Sequence, residues 1–226
     1  LNEKQKEEVM RKWSQFERIA SSDQRISFIA YDINRHFVDN YKTKGSQFKA
    51  MLATNSKVEA IRYLKYFEEA GDLNAAVVIS PPDQREGYDA VDEESQDLVR
   101  RFWDRMMDRY GNEENYEESI KDEFVNGDEL DLLIVVDKLL TGFDAPRATI
   151  MYIDKPMKEH TLLQAIARVN RLYEGKDYGL IIDYRGLLEK LDEAMEMYSG
   201  AGLENFDPKD LKGALYDVIS IIGSLR

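Results

Sequence analysis

The sequence predicts an α/β fold: a parallel sheet of about five strands, or more, sandwiched by helices. Short apolar runs alternate with longer amphipathic stretches of helical periodicity, as in chains that wind from strand to helix to strand. The runs are continuous rather than alternating, so each strand must be covered on both faces, which is typical of parallel sheets with crossover helices. Five runs have this character, namely residues 50–53, 75–79, 132–136, 149–153 and 178–182.

Helical patterns occupy the remainder and divide the chain into three parts. Residues 1–45 predict a helical connector, with Ser21-Ser22-Asp23 as an N-cap between two helices. The sheet domain is expected over residues 46–185, and residues 186–226 begin a second helical segment. Apolar positions at helical spacing support these assignments: Val9, Trp13, Phe16 and Ala20, then Ile26, Ile29, Ile33 and Phe37, and after Pro208 Leu211, Leu215, Val218 and Ile222.

Within the sheet domain, three further helices are predicted between the strands. The stretch from Lys57 to Ala70 is amphipathic and is closed by Gly71, a residue suited to the left-handed position after a helix. Two more helices lie in an acidic segment between the second and third strands, with apolar positions at Val99, Phe102, Trp103, Met106 and Tyr110, and at Tyr116, Ile120 and Phe124.

The charge of the chain is concentrated in that segment. Residues 86–131 contain 17 acidic and 5 basic residues, so they account for most of the net charge of −13. An acidic chain is an unusual binder of nucleic acid, but the uneven distribution leaves room for a locally positive face elsewhere. A solvated acidic surface without a partner is the alternative.

Composition also limits the chemistry and the location. The chain has no cysteine, which excludes disulfides, thiolate metal sites and a cysteine nucleophile and fits a reducing cytosol. No apolar run approaches the roughly 18–20 residues that span a bilayer, and no signal peptide is visible. A cytoplasmic protein without membrane contact is therefore expected. Because the chain starts at Leu1 rather than Met, we expect a fragment of a larger protein.

Ligands of open α/β sheets bind at the carboxyl ends of the strands, where the sequence places three polar segments, after the first, third and fourth strands. The first strand ends in Thr54-Asn55-Ser56, small donors at a helix N-terminus that favours anions; simple helix capping is the alternative. The third strand leads into the segment 141–146, TGFDAP. There Gly142 permits close approach to a phosphate and Asp144 can bond a sugar hydroxyl, or Asp144 bonds its own backbone in a tight turn.

A third group of polar residues follows the fourth strand. Gln164, Arg168 and Arg171 have the spacing of one helix face, and Leu162, Ile166 and Val169 have the spacing of the opposite face. Two guanidiniums fixed on a packed helix suit phosphate oxygens, because each fork is planar, charged and bidentate. The alternative is a solvated face with ordinary ion pairs.

Several catalytic motifs are missing from the sequence. There is no strand followed by a Gly-x-x-x-x-Gly-Lys-Ser/Thr loop, hence no triphosphate cradle and no obvious magnesium site. A Gly-x-Ser-x-Gly elbow and a His-Glu-x-x-His pair are also absent, and the two histidines, His36 and His160, are isolated. This chain alone is therefore expected not to hydrolyse a nucleotide.

Together the polar segments resemble the second, RecA-like motor domain of superfamily 2 helicases and translocases, and more narrowly the R subunit of type I restriction enzymes. The segment TGFDAP resembles helicase motif V, and residues 164–171, QAIARVNR, resemble motif VI. Ala167 stands where many superfamily members have glycine, a departure compatible with the restriction-subunit variant. The resemblance covers roughly residues 46–185. The segments that carry it are Tyr110 to Glu113, Leu132 to Pro146, Asp154-Lys155-Pro156, His160 to Arg171, and Gly175 to Tyr184.

The resemblance implies a half-site for a nucleotide. Two recombinase-like domains would sandwich ATP, and the first, absent here, would hold most of the ATP and Mg²⁺. Arg171, with Arg168, would then act as an arginine finger on the γ-phosphate. Gly142, Asp144 and Gln164 would contact the nucleotide and couple its state to DNA.

The resemblance also implies the remaining partners. Thr54, Ser56 and Thr141 would touch the phosphates of double-stranded DNA without reading sequence. The modification and specificity subunits of a restriction complex would assemble with the full-length chain, and DNA cleavage would belong to another domain. The alternatives are a motor domain of another superfamily 2 helicase or remodelling translocase, or a non-catalytic nucleotide- or protein-binding α/β module.

Overall fold

A computed structural model of the chain describes residues 23–82, 93–139 and 143–187, and the backbone of residues 215–216. These residues form a six-stranded sheet in which every strand pair is parallel. The predicted α/β class and all five predicted strands are confirmed. The strands are β1 (Lys49–Thr54), β2 (Ala75–Val78), β3 (Leu132–Val135), β4 (Ala148–Asp154), β5 (Leu180–Asp183) and β6 (Leu215–Tyr216).

The strand order across the sheet is β2-β3-β1-β4-β5-β6, with the first strand of the chain near its centre. Ala50 of β1 lies opposite Leu132 of β3 on one side and Ile150 of β4 on the other. All side chains of β1, β3, β4 and β5 are buried. This two-sided burial is the physical reason for the continuous apolar runs.

Five α-helices are described, and their ends follow local capping chemistry. They are α1 (Asp23–Phe37), which continues as a π-helical turn over Val38–Lys42, α2 (Lys57–Ala70), α3 (Glu93–Tyr110), α4 (Glu113–Val125) and α5 (Glu159–Val169). Ser56 caps α2, Asn112 caps α4, and Gly71 ends α2 with a φ of 73°. None of the helices in the described ranges is both long and apolar enough to cross a membrane.

Helix α1 packs into the same core as the sheet. Ile26, Ile33 and Phe37 are almost completely buried, and the ring nitrogen Nδ1 of His36 lies 2.7 Å from the hydroxyl of Tyr152 in β4. The described part of the predicted connector is thus fastened to the fold. The domain boundaries at residues 45 and 185 remain predictions.

Two helix predictions are wrong. Helix α5 ends at Val169, so Arg171 lies in the loop after the helix and not on its face. The predicted last helix is contradicted at Leu215–Tyr216, where the backbone forms a short strand beside β5. A leucine fits either element, so periodicity alone could not decide between them. The predicted helix over residues 9–20 lies outside the described residues.

Candidate functional site

The predicted site residues lie at opposite edges of the sheet. Ser56 follows the carboxyl end of β1, as expected. Asp144 and Arg171 lie instead near the amino-terminal ends of β4 and β5, which contradicts their predicted placement at the carboxyl edge. The chain crosses back after β3 before starting β4, and α5 returns antiparallel to the strands. A six-residue strand such as β1 separates the two edges by roughly 15–20 Å.

Arg171 and Asp144 form an ion pair at the amino-terminal edge. The distance from Arg171 Nη1 to Asp144 Oδ1 is 2.9 Å, and the side chains are 50% and 62% exposed. The two residues come from different predicted motifs, and the fold brings them together. An accessible guanidinium with an exchangeable carboxylate partner can transfer its hydrogen bonds to a phosphate.

Arg168 has a different environment from Arg171. It is 7% exposed, its Nη1 donates to the carbonyl oxygen of Phe143, and its guanidinium carbon lies 4.9 Å from the centre of the Phe143 ring. Burial lowers the pKa of Arg168, and the neighbouring charge of Arg171 lowers it further. Arg168 therefore ties the last turn of α5 to the segment that carries Asp144.

Lys176 is a functional candidate that the sequence did not reveal. Its Nζ donates to the carbonyl oxygens of Pro146 at 3.0 Å and Ala148 at 2.8 Å, and burial lowers the pKa of the ammonium to about 8. The lysine thus fastens the chain between Asp144 and β4. The available signal was a charged residue four positions before the apolar run of β5.

The other predicted nucleotide contacts are less defined. Gln164 is exposed in the middle of α5, one turn before Arg168. Thr141 and Gly142 lie outside the described residues, so their predicted roles remain predictions.

At the carboxyl edge the structure separates Thr54 from Ser56. Thr54 is completely buried, and its hydroxyl lies 3.3 Å from the carbonyl oxygen of Val135, to which it donates. A side chain without exposed surface has none to offer a DNA phosphate, which argues against the predicted direct contact of Thr54. Ser56 caps α2, since its Oγ accepts the backbone N–H of Glu59 at 3.2 Å, and its predicted contact with a DNA phosphate stays a prediction.

Beneath this loop lies a buried charge cluster that the sequence did not predict. Asp154, at the end of β4, is completely buried and accepts three side-chain donors. Arg25 of α1 binds both carboxylate oxygens, at 2.7 and 2.9 Å, while Tyr63 and Arg185 each donate at 2.7 Å. The cluster therefore joins α1, α2, β4 and the segment after β5.

Glu59 borders this cluster and is 3% exposed. Its Oε2 accepts the backbone N–H of Asn55 at 3.2 Å, so the carboxyl group braces the loop between β1 and α2. Burial, and then the charge of Asp154, raise the pKa of Glu59 to about 7, with Arg185 and Arg25 opposing the shift.

This shift predicts a pH-dependent stability. In the folded chain Glu59 keeps its proton up to a pKa of about 7, against 4.5 ordinarily, so its contribution is full below pH 4.5 and is lost as the pH rises through 7. Glu59→Gln is therefore expected to raise the free energy of unfolding at pH 8 by about 3 kcal/mol and to change it little at pH 4.5. Urea unfolding of the purified chain at both pH values measures this; an equal effect at both would contradict it.

The acidic segment contacts the loop that follows β3. The Nζ of Lys138 lies 2.5 Å from Glu113 and 3.0 Å from Glu117 of α4, and these carboxylates raise the pKa of Lys138. Part of the acidity is thus used within the fold. Across the described ranges, no group of three or more acidic or histidine side chains is arranged to hold a metal ion.

Comparison with known proteins identifies similar sequences. Residues 46–186 match the family described as type I restriction enzyme subunit R domain 3. The MjaVIIP endonuclease subunit, named as a candidate type I restriction enzyme of Methanocaldococcus jannaschii, is 35% identical over 176 residues, which cover 74% of this chain and 16% of that protein. The endonuclease subunit of the type I restriction enzyme HindI from Haemophilus influenzae is 32% identical over 203 residues, covering 82% of this chain and 17% of that protein.

Two solved structures show weaker likeness. The ATP-dependent type ISP restriction-modification enzyme LlaBIII bound to DNA has a TM-score of 0.46 at 16% identity, covering 75% of this chain and 12% of that one. The C-terminal part of the Fun30 ATPase domain has a TM-score of 0.40 at 14% identity, covering 73% of this chain and 44% of that one.

Proposed function

The chain belongs to the family of type I restriction enzyme R-subunit domain 3, and from this we propose that it is the second, RecA-like motor domain of an ATP-dependent translocase of double-stranded DNA. Its role in the full-length subunit is to complete an ATP site that a first motor domain holds. The chain spans about a sixth of the length of its relatives, which leaves room for that domain and for a nuclease domain.

The observation that carries the proposal is the half-exposed Arg171, paired with Asp144 at an edge of the sheet. ATP with Mg²⁺, bound by the first motor domain, supplies a γ-phosphate whose negative charge spreads in the transition state. Arg171 leaves Asp144 and donates to that phosphate as an arginine finger. Asp144 is then free to accept a hydrogen bond from a nucleotide hydroxyl. Arg168 keeps the segment of Asp144 next to the end of α5 through its hydrogen bond to Phe143.

The DNA contact is proposed at the opposite edge. Ser56 and the first backbone N–H groups of α2 present donors and the positive end of the helix dipole, which suit a phosphate. Thr54 supports this loop from below through Val135. Opening and closing of the cleft between the two motor domains would then move DNA past the protein. Recognition of the target sequence would belong to the modification and specificity subunits.

The isolated chain tests this division of labour. We expect negligible ATP hydrolysis, because the triphosphate cradle is not in this sequence, and weak DNA binding that falls steeply with salt because it depends on phosphate contacts. ATP turnover assays and fluorescence anisotropy with duplex DNA between 50 and 200 mM salt, roughly the range over which such binding collapses, measure both. Robust ATPase activity of the chain alone would contradict the proposal.

A further inference from the structure

We propose that Lys176 is a positioning residue for the arginine finger: its ammonium fixes the segment that carries Asp144, and its turn fixes the segment that carries Arg171. The inference rests on the proposed function and assigns the residue on which the geometry of the Asp144–Arg171 pair depends. Lys176 itself touches neither member of the pair; it acts through the two chain segments.

The side chain of Lys176 fastens the segment that carries Asp144. Lys176 is 9% exposed, and its Nζ bonds the carbonyl oxygens of Pro146 and Ala148, which stand two and four residues after Asp144. Between them and Asp144 lies Ala145, which is 1% exposed and whose carbonyl accepts the N–H of Ala148. The backbone carrying Asp144 is thus fastened at its carboxyl-terminal side.

The backbone of Lys176 closes a turn next to the segment that carries Arg171. Its N–H donates to the carbonyl oxygen of Tyr173 at 3.0 Å, closing a turn in which Gly175 has a φ of 74°. This turn begins two residues after Arg171. Three residues beyond Lys176, a side chain on Gly179 would overlap the carbonyl of Val169, so the chain passes directly against the end of α5.

Lys176 therefore contacts both segments that carry the ion pair. The segment before β4 and the segment after α5 meet at Lys176, and the ion pair of Asp144 with Arg171 spans the same two segments. A compact ammonium with three donors suits this place because it satisfies two carbonyl oxygens from one point. An apolar side chain would remove the ammonium from both carbonyls and release the segment of Asp144.

Lys49 offers a matched control. It is 2% exposed, and its Nζ likewise bonds two carbonyl oxygens, those of Glu123 at 2.9 Å and Gly127 at 2.6 Å. Its side chain anchors the end of α4 rather than the segments of Asp144 and Arg171. Lys49→Met therefore measures the loss of a buried lysine with two carbonyl partners, without loss of the Lys176 contacts.

The experiment compares Lys176→Met with Lys49→Met in the full-length subunit assembled with its partner subunits. DNA-stimulated ATP turnover and the melting temperature are measured for both. We expect kcat to fall by about 10²-fold in Lys176→Met, as for a misplacement of about 1 Å, with the KM for ATP little changed. Lys49→Met is expected to lower the melting temperature to a similar degree and to leave kcat near that of the parent. Equal kcat losses in the two variants would overturn the proposal.

A double-mutant cycle shows whether Lys176 acts through Arg171. In an Arg171→Ala background, Lys176→Met is expected to cause no further loss of single-turnover ATP hydrolysis, and additive losses would overturn the proposal. Full turnover in Arg171→Ala alone would instead refute the proposed function, a distinct result. If Lys176→Met does not assemble, Lys176→Gln and Lys49→Gln, each of which supplies a side-chain NH₂ group as donor, are compared with the same expected order.

Discussion

Replacing Arg171 by alanine is expected to reduce DNA-stimulated ATP turnover by about 10³–10⁵-fold in the full-length subunit assembled with its partners. The guanidinium is half exposed and lies 2.9 Å from Asp144, so it is available to a phosphate. Its contribution belongs to the transition state, where charge spreads over the phosphate oxygens. ATP binding should therefore remain largely intact, because in the proposed arrangement the first motor domain holds the nucleotide.

The measurement is steady-state ATP turnover with and without DNA, together with binding of a fluorescent nucleotide. Arg35→Ala is a suitable control, since Arg35 is also exposed and paired with a carboxylate, Asp39 at 3.6 Å, on the surface of α1. We expect this control to keep full turnover. Unchanged turnover in Arg171→Ala would refute the finger assignment.

Replacing Asp154 by asparagine is expected to lower the free energy of unfolding by about 3–5 kcal/mol, the range for breaking a buried ion pair. Asp154 is completely buried between Arg25 and Arg185, and the Arg185 side chain is 4% exposed. Without the carboxylate, the buried guanidinium of Arg185 and the partly buried guanidinium of Arg25 stay close together with less compensating charge. Nη1 of Arg185 already has no hydrogen-bond partner within the described part of the chain, so no spare acceptor in that part replaces the lost carboxylate oxygen.

Urea unfolding of the purified chain at neutral pH gives this value. Asp128→Asn is the matched control, because Asp128 also accepts from an arginine, Arg147 at 2.8 Å, but is 87% exposed. An exposed ion pair contributes about 0–1 kcal/mol, so the control should change stability little. Similar effects in the two variants would show that burial of Asp154 does not determine its contribution.

Local chemistry made the elements predictable. The amphipathic stretch from Lys57 to Ala70 and its terminator Gly71 agree with the observed helix, because the cap residues and the spacing of apolar side chains act within a few residues. The five buried strands were predictable for a similar reason, since burial on both faces requires apolar residues at every position. The end of α5 at Val169 was not, because a polar turn at Asn170-Arg171 continues the helical spacing.

The sequence offered residues for the candidate site but not their geometry. The segments that contain Asp144 and Arg171 could be singled out in the sequence, and the opposite charges of these two residues are compatible with pairing. Their position at the amino-terminal edge depends on where the crossover after β3 and the return of α5 end. Likewise, the helical spacing predicted the same exposed helix face for Arg168 and Arg171. In the structure Arg168 is buried against Phe143, whereas Arg171 is half exposed.

The amino-acid sequence was enough to predict the α/β class, the five main strands, the lack of a triphosphate-binding motif in this sequence and the residues proposed for a nucleotide site. These follow from composition and from spacing along the chain. The fold was needed to see which arginine faces solvent, that Thr54 is buried, and that Lys176 and Asp154 anchor distant segments. Those outcomes depend on contacts between residues far apart in sequence, and the free energy of burying a charge is set by the neighbours that the fold supplies.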